Sequence, residues 1–119
     1  MELSPFRITR RAEGGIQVLA PSGRITLGQS VRELRQCFEQ LGEEAQRVVV
    51  NMAEVPYIDS AGLGSLVSGL SAIKKSGGAL VLSDVQPRVA QLLELTNLTG
   101  VLKSFPTERE ALQFFSLAA

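Results

Sequence analysis

The chain of 119 residues has no histidine and no tryptophan, and Cys37 is its only cysteine. The lack of histidine excludes Ser–His and Cys–His nucleophile pairs as well as histidine metal ligands. A lone cysteine excludes an internal disulfide and zinc sites built from several thiolates, and it fits a reducing compartment. Few routes to catalysis remain, so we expect a protein that is not an enzyme and holds no metal or other cofactor of its own.

An excess of charge is also missing, because 12 lysines and arginines balance 12 aspartates and glutamates. This balance favours neither nucleic acid nor an anionic membrane surface as a partner. No apolar run reaches the length of a membrane-spanning helix, and residues 1–5 lack the charged and apolar regions of a signal peptide. We therefore expect a cytoplasmic protein that does not insert into the membrane.

The length and composition are those of one ordinary globular domain. An apolar content of 45% and a charged content of 20% are typical of such chains. A chain of this size buries enough surface to form one hydrophobic core. We found no internal repeat, low-complexity tract or linker, so we assign one domain to residues 1–119, with its core at about 5–117.

Hydrophobic periodicity predicts a regular succession of elements. In chain order these are strand 6–10, strand 16–20, a helix between Ser30 and Gly42, strand 47–52, helix 60–76, strand 79–82, a helix opened by Pro87, edge strand 101–102 and a helix opened by residues 106–110. The turn signal at residues 13–15 predicts an opening β-hairpin, and the later alternation predicts parallel strands with right-handed crossovers. The fold class is thus α/β, with a mixed, mostly parallel sheet of about five strands and about four helices.

Several local features refine this prediction. Strand 6–10 alternates apolar and polar residues, which predicts one buried face. Ser30 with Glu33 and Thr107 with Glu110 both match the capping-box pattern at a helix start. Cys37 is expected to fill the core or its boundary. The apolar residues predicted to face the core are Val31, Leu34, Phe38 and Leu41 in the first helix and Val89, Leu92, Leu93 and Leu95 in the third.

The most informative stretch, residues 55–64, joins the buried strand around 48–50 to the second helix. Either Asp59 or Ser60 is a good N-cap for that helix. The Ser60 hydroxyl would then lie near free backbone N–H groups, a favourable place for a phosphate. From the residues alone, helix capping is the simpler explanation. A role for Asp59 as a metal ligand or base lacks support, since Glu54 is the only other acid nearby.

Nucleotide-binding and hydrolase motifs do not match this stretch. Gly62 and Gly64 suggest a dinucleotide-binding loop, but Val67 occupies the place of the third glycine. The sequence contains no P-loop, and Ser60 does not lie in a Gly-x-Ser-x-Gly motif. Small residues here let the helix approach the sheet and leave the surface around Ser60 open. A catalytic or nucleotide-binding domain is therefore disfavoured.

The sequence Tyr-Ile-Asp-Ser-Ala-Gly-Leu-Gly at residues 57–64, after Val-Val-Val-Asn-Met at 48–52, resembles the signature of STAS domains. It is most similar to that of the bacterial anti-sigma factor antagonists, and the resemblance covers nearly the whole chain. It implies that the unphosphorylated protein binds an anti-sigma factor that is also a serine/threonine kinase, and so releases a sigma factor. The kinase uses its own ATP to phosphorylate one serine, the complex dissociates, and a phosphatase resets the cycle.

The resemblance maps the phosphorylated serine onto Ser60, and ATP or ADP would belong to the partner kinase. It implies that the partner-binding residues are Arg24, Thr26, Gly28, Tyr57, Asp59, Ser60, Ala61, Gly62, Leu63 and Gly64. Many phosphorylated members carry an aspartate in the loop after the second strand. Here that place reads Ile25–Thr26, which leaves the efficiency of phosphorylation open. We expect a monomer or a weak dimer.

A second function stays open at this point. A STAS domain can also serve as a docking or structural subunit that is not phosphorylated, in a stressosome-like or a lipid-transport complex. Neighbouring genes for a kinase and a sigma factor would favour the first function, whereas neighbouring genes for transporter subunits would favour the second.

Overall fold

A computed structural model describes residues 6–42 and 46–117 of the chain. The expectation drawn from residues 1–5 lies outside this range. The elements are β1 (Arg7–Glu13), β2 (Ile16–Ser22), α1 (Gln29–Leu41), β3 (Arg47–Asn51), α2 (Ser60–Lys75), β4 (Ala79–Ser83), α3 (Pro87–Leu95), β5 (Ser104–Phe105) and α4 (Glu108–Leu117). Their order and types confirm the predicted succession of strands and helices.

The five strands form one sheet in the order β1-β2-β3-β4-β5. Strands β1 and β2 are antiparallel, and Gly14 and Gly15 supply the positive φ angles of the turn between them. All other neighbouring strands run parallel. The mixed, mostly parallel sheet and its opening hairpin are therefore as predicted, and the carboxyl ends of β2, β3 and β4 meet at one edge of the sheet.

Helices cover both faces of the central strands, as their unbroken apolar runs predict. On one face, Val48 and Val50 pack in the larger core with residues of α1, α2 and α3. On the other face, Val49 packs with Ala111 and Phe115 of α4. Cys37 is buried in the larger core, which confirms its predicted place, and this burial raises the pKa of its thiol. The sheet is thus a rigid platform whose carboxyl edge carries the loops before α1, α2 and α3.

The predicted buried face of the first strand is wrong over most of its length. Ile8 is half-buried, but every other residue of β1 is exposed. The reason is position, because β1 is an edge strand and the helices pack mainly over the strands in the middle of the sheet. The alternation of apolar and polar residues therefore predicted the strand correctly and its buried face incorrectly.

The fifth strand lies at Ser104–Phe105 rather than at the predicted 101–102. The backbone N–H groups of Val101 and Leu102 both donate to the Leu98 carbonyl oxygen, which makes this segment a turn. The turn buries Leu102 at 1% exposure and leaves Val101 on the surface. Two adjacent apolar residues thus belong to a turn that buries only the second, because a short apolar run does not by itself establish a strand.

The two predicted capping boxes have different outcomes. Thr107 accepts a hydrogen bond from the Glu110 backbone N–H at 3.1 Å, as predicted for the start of α4. In α1 the N-cap is Gly28, and the prediction for Ser30 and Glu33 is wrong. The Ser30 hydroxyl instead accepts from the Thr26 N–H at 2.8 Å and donates to the Thr26 carbonyl at 3.0 Å. Ser30 therefore stabilises the loop that precedes its helix.

The prediction that Leu95 faces the core from α3 is wrong. Val89 and Leu93 are buried four residues apart, whereas Leu95 is 76% exposed. Two residues beyond Leu93, the helix has turned by roughly 200°, so Leu95 points away from the core. The consequence is an exposed leucine at the end of α3.

Candidate functional site

Asp59 is the N-cap of α2. One carboxylate oxygen, Oδ1, accepts a hydrogen bond from the Gly62 backbone N–H at 2.8 Å, as an N-cap does. The other, Oδ2, accepts from the Leu27 backbone N–H at 2.9 Å. The alternative left open by the sequence is thereby decided, because Asp59 caps the helix and Ser60 is its first residue.

The same two hydrogen bonds set the ionisation of Asp59. The N–H groups of Leu27 and Gly62 stabilise the carboxylate and hold the pKa of Asp59 below its ordinary value, against a smaller opposing effect of burial. Asp59 is therefore negatively charged at neutral pH. With both oxygens accepting from the backbone, it joins the start of α2 to the loop between β2 and α1.

Backbone hydrogen bonds align this loop, residues 23–28, with the loop that leads into α2. The Ile25 N–H donates to the Tyr57 carbonyl at 3.1 Å, and the Ile25 carbonyl accepts from the Asp59 N–H at 3.2 Å. Gly62 packs directly on this segment, where an added Cβ would overlap the Ile25 carbonyl oxygen. The loop and the helix start therefore form one fixed unit, and glycine is required at position 62.

Ser60 is exposed at the first position of α2. It lies on an open groove of about 420 Å³ whose walls come from the loop before α2 and from α3. The α3 residues on this groove include Arg88, Gln91 and Leu95. A partner that reaches the Ser60 hydroxyl therefore also meets α3.

Tyr57 also lines the groove, and two arginines approach its ring. The Arg88 Cζ atom is 5.5 Å from the centroid of the tyrosine ring, and the Arg24 Cζ atom is 5.9 Å from it. Both distances fall within the range of a cation–π contact. Arg24 comes from the loop after β2 and Arg88 from the first turn of α3, so two chain segments place positive charge beside the segment that contains Ser60.

The structure brings the predicted site residues together but divides them by exposure. Arg24, Tyr57, Ser60 and Gly64 are exposed, and Thr26, Gly28, Asp59 and Ala61 are partly buried. Gly62 and Leu63 are buried against Ile25 and in the larger core, so they support the site from beneath. Within residues 57–64, the exposed surface is therefore smaller than the set of residues that the sequence motif implies.

Sequence reasoning missed the contribution of α3 and of Leu27. The sequence did not indicate that Arg88 lies at this groove, since an arginine in the first turn of a helix is ordinary. Only the parallel order of β3 and β4 brings it beside Tyr57. Leu27 is 81% exposed, and its backbone N–H is bonded to Asp59 at the start of α2. An apolar residue inside a predicted loop was the available signal.

The described residues contain no group of three or more histidine, cysteine, aspartate or glutamate side chains placed to hold a metal ion. Within the same residues, none of the helices has the length and hydrophobicity needed to cross a membrane.

A five-stranded mixed sheet with four helices and an Asp-capped helix start after β3 defines the class of protein. The family model of the STAS domain matches residues 7–111, and the chain belongs to this family. Relatives that it resembles include anti-sigma factor antagonists.

The anti-sigma-B factor antagonist of Bacillus subtilis is 32% identical over 69 residues, which are 58% of this chain and 63% of that protein. The anti-sigma F factor antagonist of Paenibacillus polymyxa is 28% identical over 69 residues, 58% of this chain and 59% of that protein. Both matches thus span less than two thirds of the relative. The anti-sigma factor antagonist SpoIIAA, solved in its unphosphorylated form, superposes with a TM-score of 0.72 at 15% identity over 94% of this chain and 98% of that one. This last likeness shows the shared fold.

Proposed function

We propose that this protein is an anti-sigma factor antagonist that binds an anti-sigma factor with serine/threonine kinase activity and so frees a sigma factor. Phosphorylation of Ser60 by that kinase ends the binding, and a phosphatase restores it. The observation that carries the proposal is the exposed Ser60 hydroxyl at the first position of α2, beside a fixed loop and an open groove. Membership of the STAS family and the names of the relatives support it.

The proposed transfer needs a kinase, because the sequence contains neither a P-loop to hold ATP nor a histidine to act as a base. The Ser60 Oγ attacks the γ-phosphorus of ATP held by the partner, and the new O–P bond replaces the bond to the bridging oxygen of the leaving ADP. The hydroxyl proton passes to a base that the kinase supplies. Asp59 is unsuited to be that base, since both of its oxygens accept backbone hydrogen bonds and its pKa is low. The protein is thus the substrate and binding partner rather than the enzyme.

The charge of one phosphate explains how phosphorylation can end partner binding without unfolding the protein. Phosphorylation adds about −1.5 to −2 charge at neutral pH. At the amino end of α2 this charge is compatible with the helix dipole, so the fold tolerates it. In a desolvated interface the same charge is costly unless the partner provides cations. The phosphorylated protein is therefore expected to stay folded and to leave its partner.

Thr26 occupies the loop position at which many phosphorylated family members have an aspartate. Its backbone N–H and carbonyl are both bonded to the Ser30 hydroxyl, so the loop holds its shape without a carboxylate at this place. We expect this absence to affect the rate of phosphorylation rather than the architecture of the site. Thr26→Asp should then raise the phosphorylation rate several-fold without changing the thermal melt.

The experiment that tests the proposal is affinity capture from the native cells, followed by mass spectrometry. With ADP the parent protein should retain an anti-sigma kinase, and ATP should release it with one phosphate on Ser60. Ser60→Ala should bind and resist release by ATP. Ser68→Ala is a matched control, since Ser68 is also exposed on α2, and it should behave like the parent. The proposal includes a cytoplasmic location, a monomer or weak dimer, and ATP or ADP bound only by the kinase.

The alternative is a docking subunit of a stressosome-like or lipid-transport complex. If the parent carries no phosphate on Ser60, and the parent, Ser60→Ala and Ser60→Asp retain the same partners equally, the docking function replaces the proposed one.

A further inference from the structure

The two arginines around Tyr57 have guanidinium groups available for a new partner. Within residues 6–42 and 46–117, the ion pairs involve Arg11 with Glu13 and Glu108, and neither Arg24 nor Arg88 takes part in one. Both side chains are exposed, and each contacts the face of the same tyrosine ring. Such a contact is weak at an exposed site, so the guanidinium groups can leave it at little cost.

The surroundings of Ser60 create a demand for this positive charge. Asp59, the preceding residue, is ionised and its low pKa keeps it so. A phosphate on Ser60 therefore adds a second negative group next to an existing one. The backbone N–H groups of Gly62 and Leu27 are already bonded to Asp59, so they do not neutralise the charge of the phosphate. Arg88 lines the same groove as Ser60, and Arg24, from the neighbouring loop, approaches the same Tyr57 ring.

We propose that Arg88, assisted by Arg24, turns from the Tyr57 ring to the phosphate of phosphorylated Ser60 and holds it in the groove. This inference rests on the proposed function in that Ser60 is the residue that carries the phosphate. A guanidinium group presents paired N–H donors that match phosphate oxygens, and this charge-assisted pair is stronger than a cation–π contact in water. The released Tyr57 ring and the two repositioned side chains then change the groove that a partner contacts.

The consequence is a switch with two components. The phosphate adds charge to the surface, and it also withdraws two cations from the places in which an unphosphorylated protein offers them to a partner. An acidic group on the partner would lose both arginines at once. Phosphorylation would therefore oppose partner binding in two ways, by charge repulsion at Ser60 and by removing Arg24 and Arg88 from the partner.

The experiment uses the full chain with phosphoserine placed at position 60 by genetic incorporation, so that no kinase is required. Phosphorus NMR follows the second ionisation of the phosphate, whose ordinary pKa is about 6. Arg88→Gln should raise this pKa by about one unit relative to the phosphorylated parent, the low end of the effect of an adjacent opposite charge. Arg24→Gln should raise it by less, and Arg88→Lys should recover part of the effect.

Arg109→Gln is the matched control, because Arg109 is exposed on α4 at the opposite face of the sheet. It should titrate like the parent. Thermal melts should coincide for all four variants, since the side chains concerned are on the surface. If the phosphate titrates identically in the parent, Arg88→Gln and the Arg24→Gln/Arg88→Gln double variant, the arginines do not hold the phosphate and the inference is overturned.

A second measurement tests the movement away from the ring. Tyr57 is the only tyrosine and the chain has no tryptophan, so tyrosine fluorescence reports on this site alone. Placing phosphoserine at position 60 should change the emission of the parent and leave that of the double arginine variant nearly constant. Equal changes in both proteins would contradict the proposed exchange. A kinase that fails to modify Ser60 would instead refute the proposed function and leave these two results standing.

Discussion

Leu27 and Asp59 are joined by a hydrogen bond of 2.9 Å from the Leu27 backbone N–H to the Asp59 carboxylate. The bond links residues 32 positions apart and fixes an 81% exposed leucine beside the start of α2. An apolar side chain on an ordered backbone next to Ser60 is suited to binding, because less backbone conformational entropy remains to be lost.

Leu27→Ala should therefore weaken partner binding without weakening the fold. Truncating an exposed leucine usually changes the free energy of unfolding by less than about 0.5 kcal/mol. Calorimetric titration with the proposed anti-sigma kinase, alongside chemical denaturation, separates the two effects. Val101→Ala is a suitable control, since Val101 is also an exposed apolar residue but lies in the turn before β5. Equal losses of binding in both variants would remove Leu27 from the interface.

Asp59→Ala should lower the free energy of unfolding by about 0.5–2 kcal/mol, the cost of removing an N-cap. Ser60→Ala should change it little, because Ser60 is the first helical residue and does not cap the helix. Urea denaturation of the two variants and the parent measures both values. The assignment of the cap is wrong if Ser60→Ala is the more destabilising change.

The contribution of Asp59 to stability should depend on pH with a definite sign. Its pKa is lower in the folded protein than in the unfolded chain, because the Leu27 and Gly62 N–H groups stabilise the carboxylate. The stabilisation is therefore complete above about pH 4, the ordinary pKa of aspartate, and is lost as the pH falls through the folded value. The difference in unfolding free energy between the parent and Asp59→Asn should shrink on acidification below about pH 4.

Glu108, whose pKa is held low mainly by Arg11, titrates in both proteins and cancels in this difference. Glu94→Gln, on the exposed surface of α3, controls for the general loss of one negative charge. A gap between parent and Asp59→Asn that stays constant from pH 7 to pH 2 would argue against these hydrogen bonds.

Gly62→Ala and Gly64→Ala should act in opposite directions on stability. At position 62 a methyl group would overlap the Ile25 carbonyl oxygen, and overpacking of this kind costs about 1–3 kcal/mol. At position 64 the space is open, and replacing a helical glycine by alanine gains about 0.5–1 kcal/mol. Thermal melts of the two single variants test this pair. Two melting temperatures shifted in the same direction would show that the loop does not approach α2 as described.

Leu66→Ala should be among the most damaging substitutions in α2. Leu66 is fully buried, and removing such a side chain costs about 2–5 kcal/mol through lost burial and the remaining cavity. Leu95→Ala provides the contrast, since Leu95 is exposed on the groove beside Ser60 and should affect binding more than folding. A parent-like denaturation curve for Leu66→Ala would mean that α2 packs on a different face.

The sequence was most informative where local signals and burial agree. The apolar run at residues 48–50, the turn at Gly14 and Gly15, and the signature at 57–64 each determine a local structure, and together they predict the sheet and the place of Ser60. The errors lie where tertiary position decides. Alternation does not show that β1 is at an edge, and Ser30 serves its preceding loop because Gly28 begins the helix. Arg88 reaches Tyr57 only because β3 and β4 are parallel neighbours.

The exposed first strand has a consequence for how copies of the protein meet. β1 leaves one row of backbone donors and acceptors unpaired at the end of the sheet, which is a template for joining another strand. The strand carries Arg7 and Arg10, besides Arg11, which is paired with Glu13 and Glu108, so two such edges brought together would add like charges to the contact. This repulsion opposes the edge-to-edge pairing of sheets that a long apolar edge strand would favour.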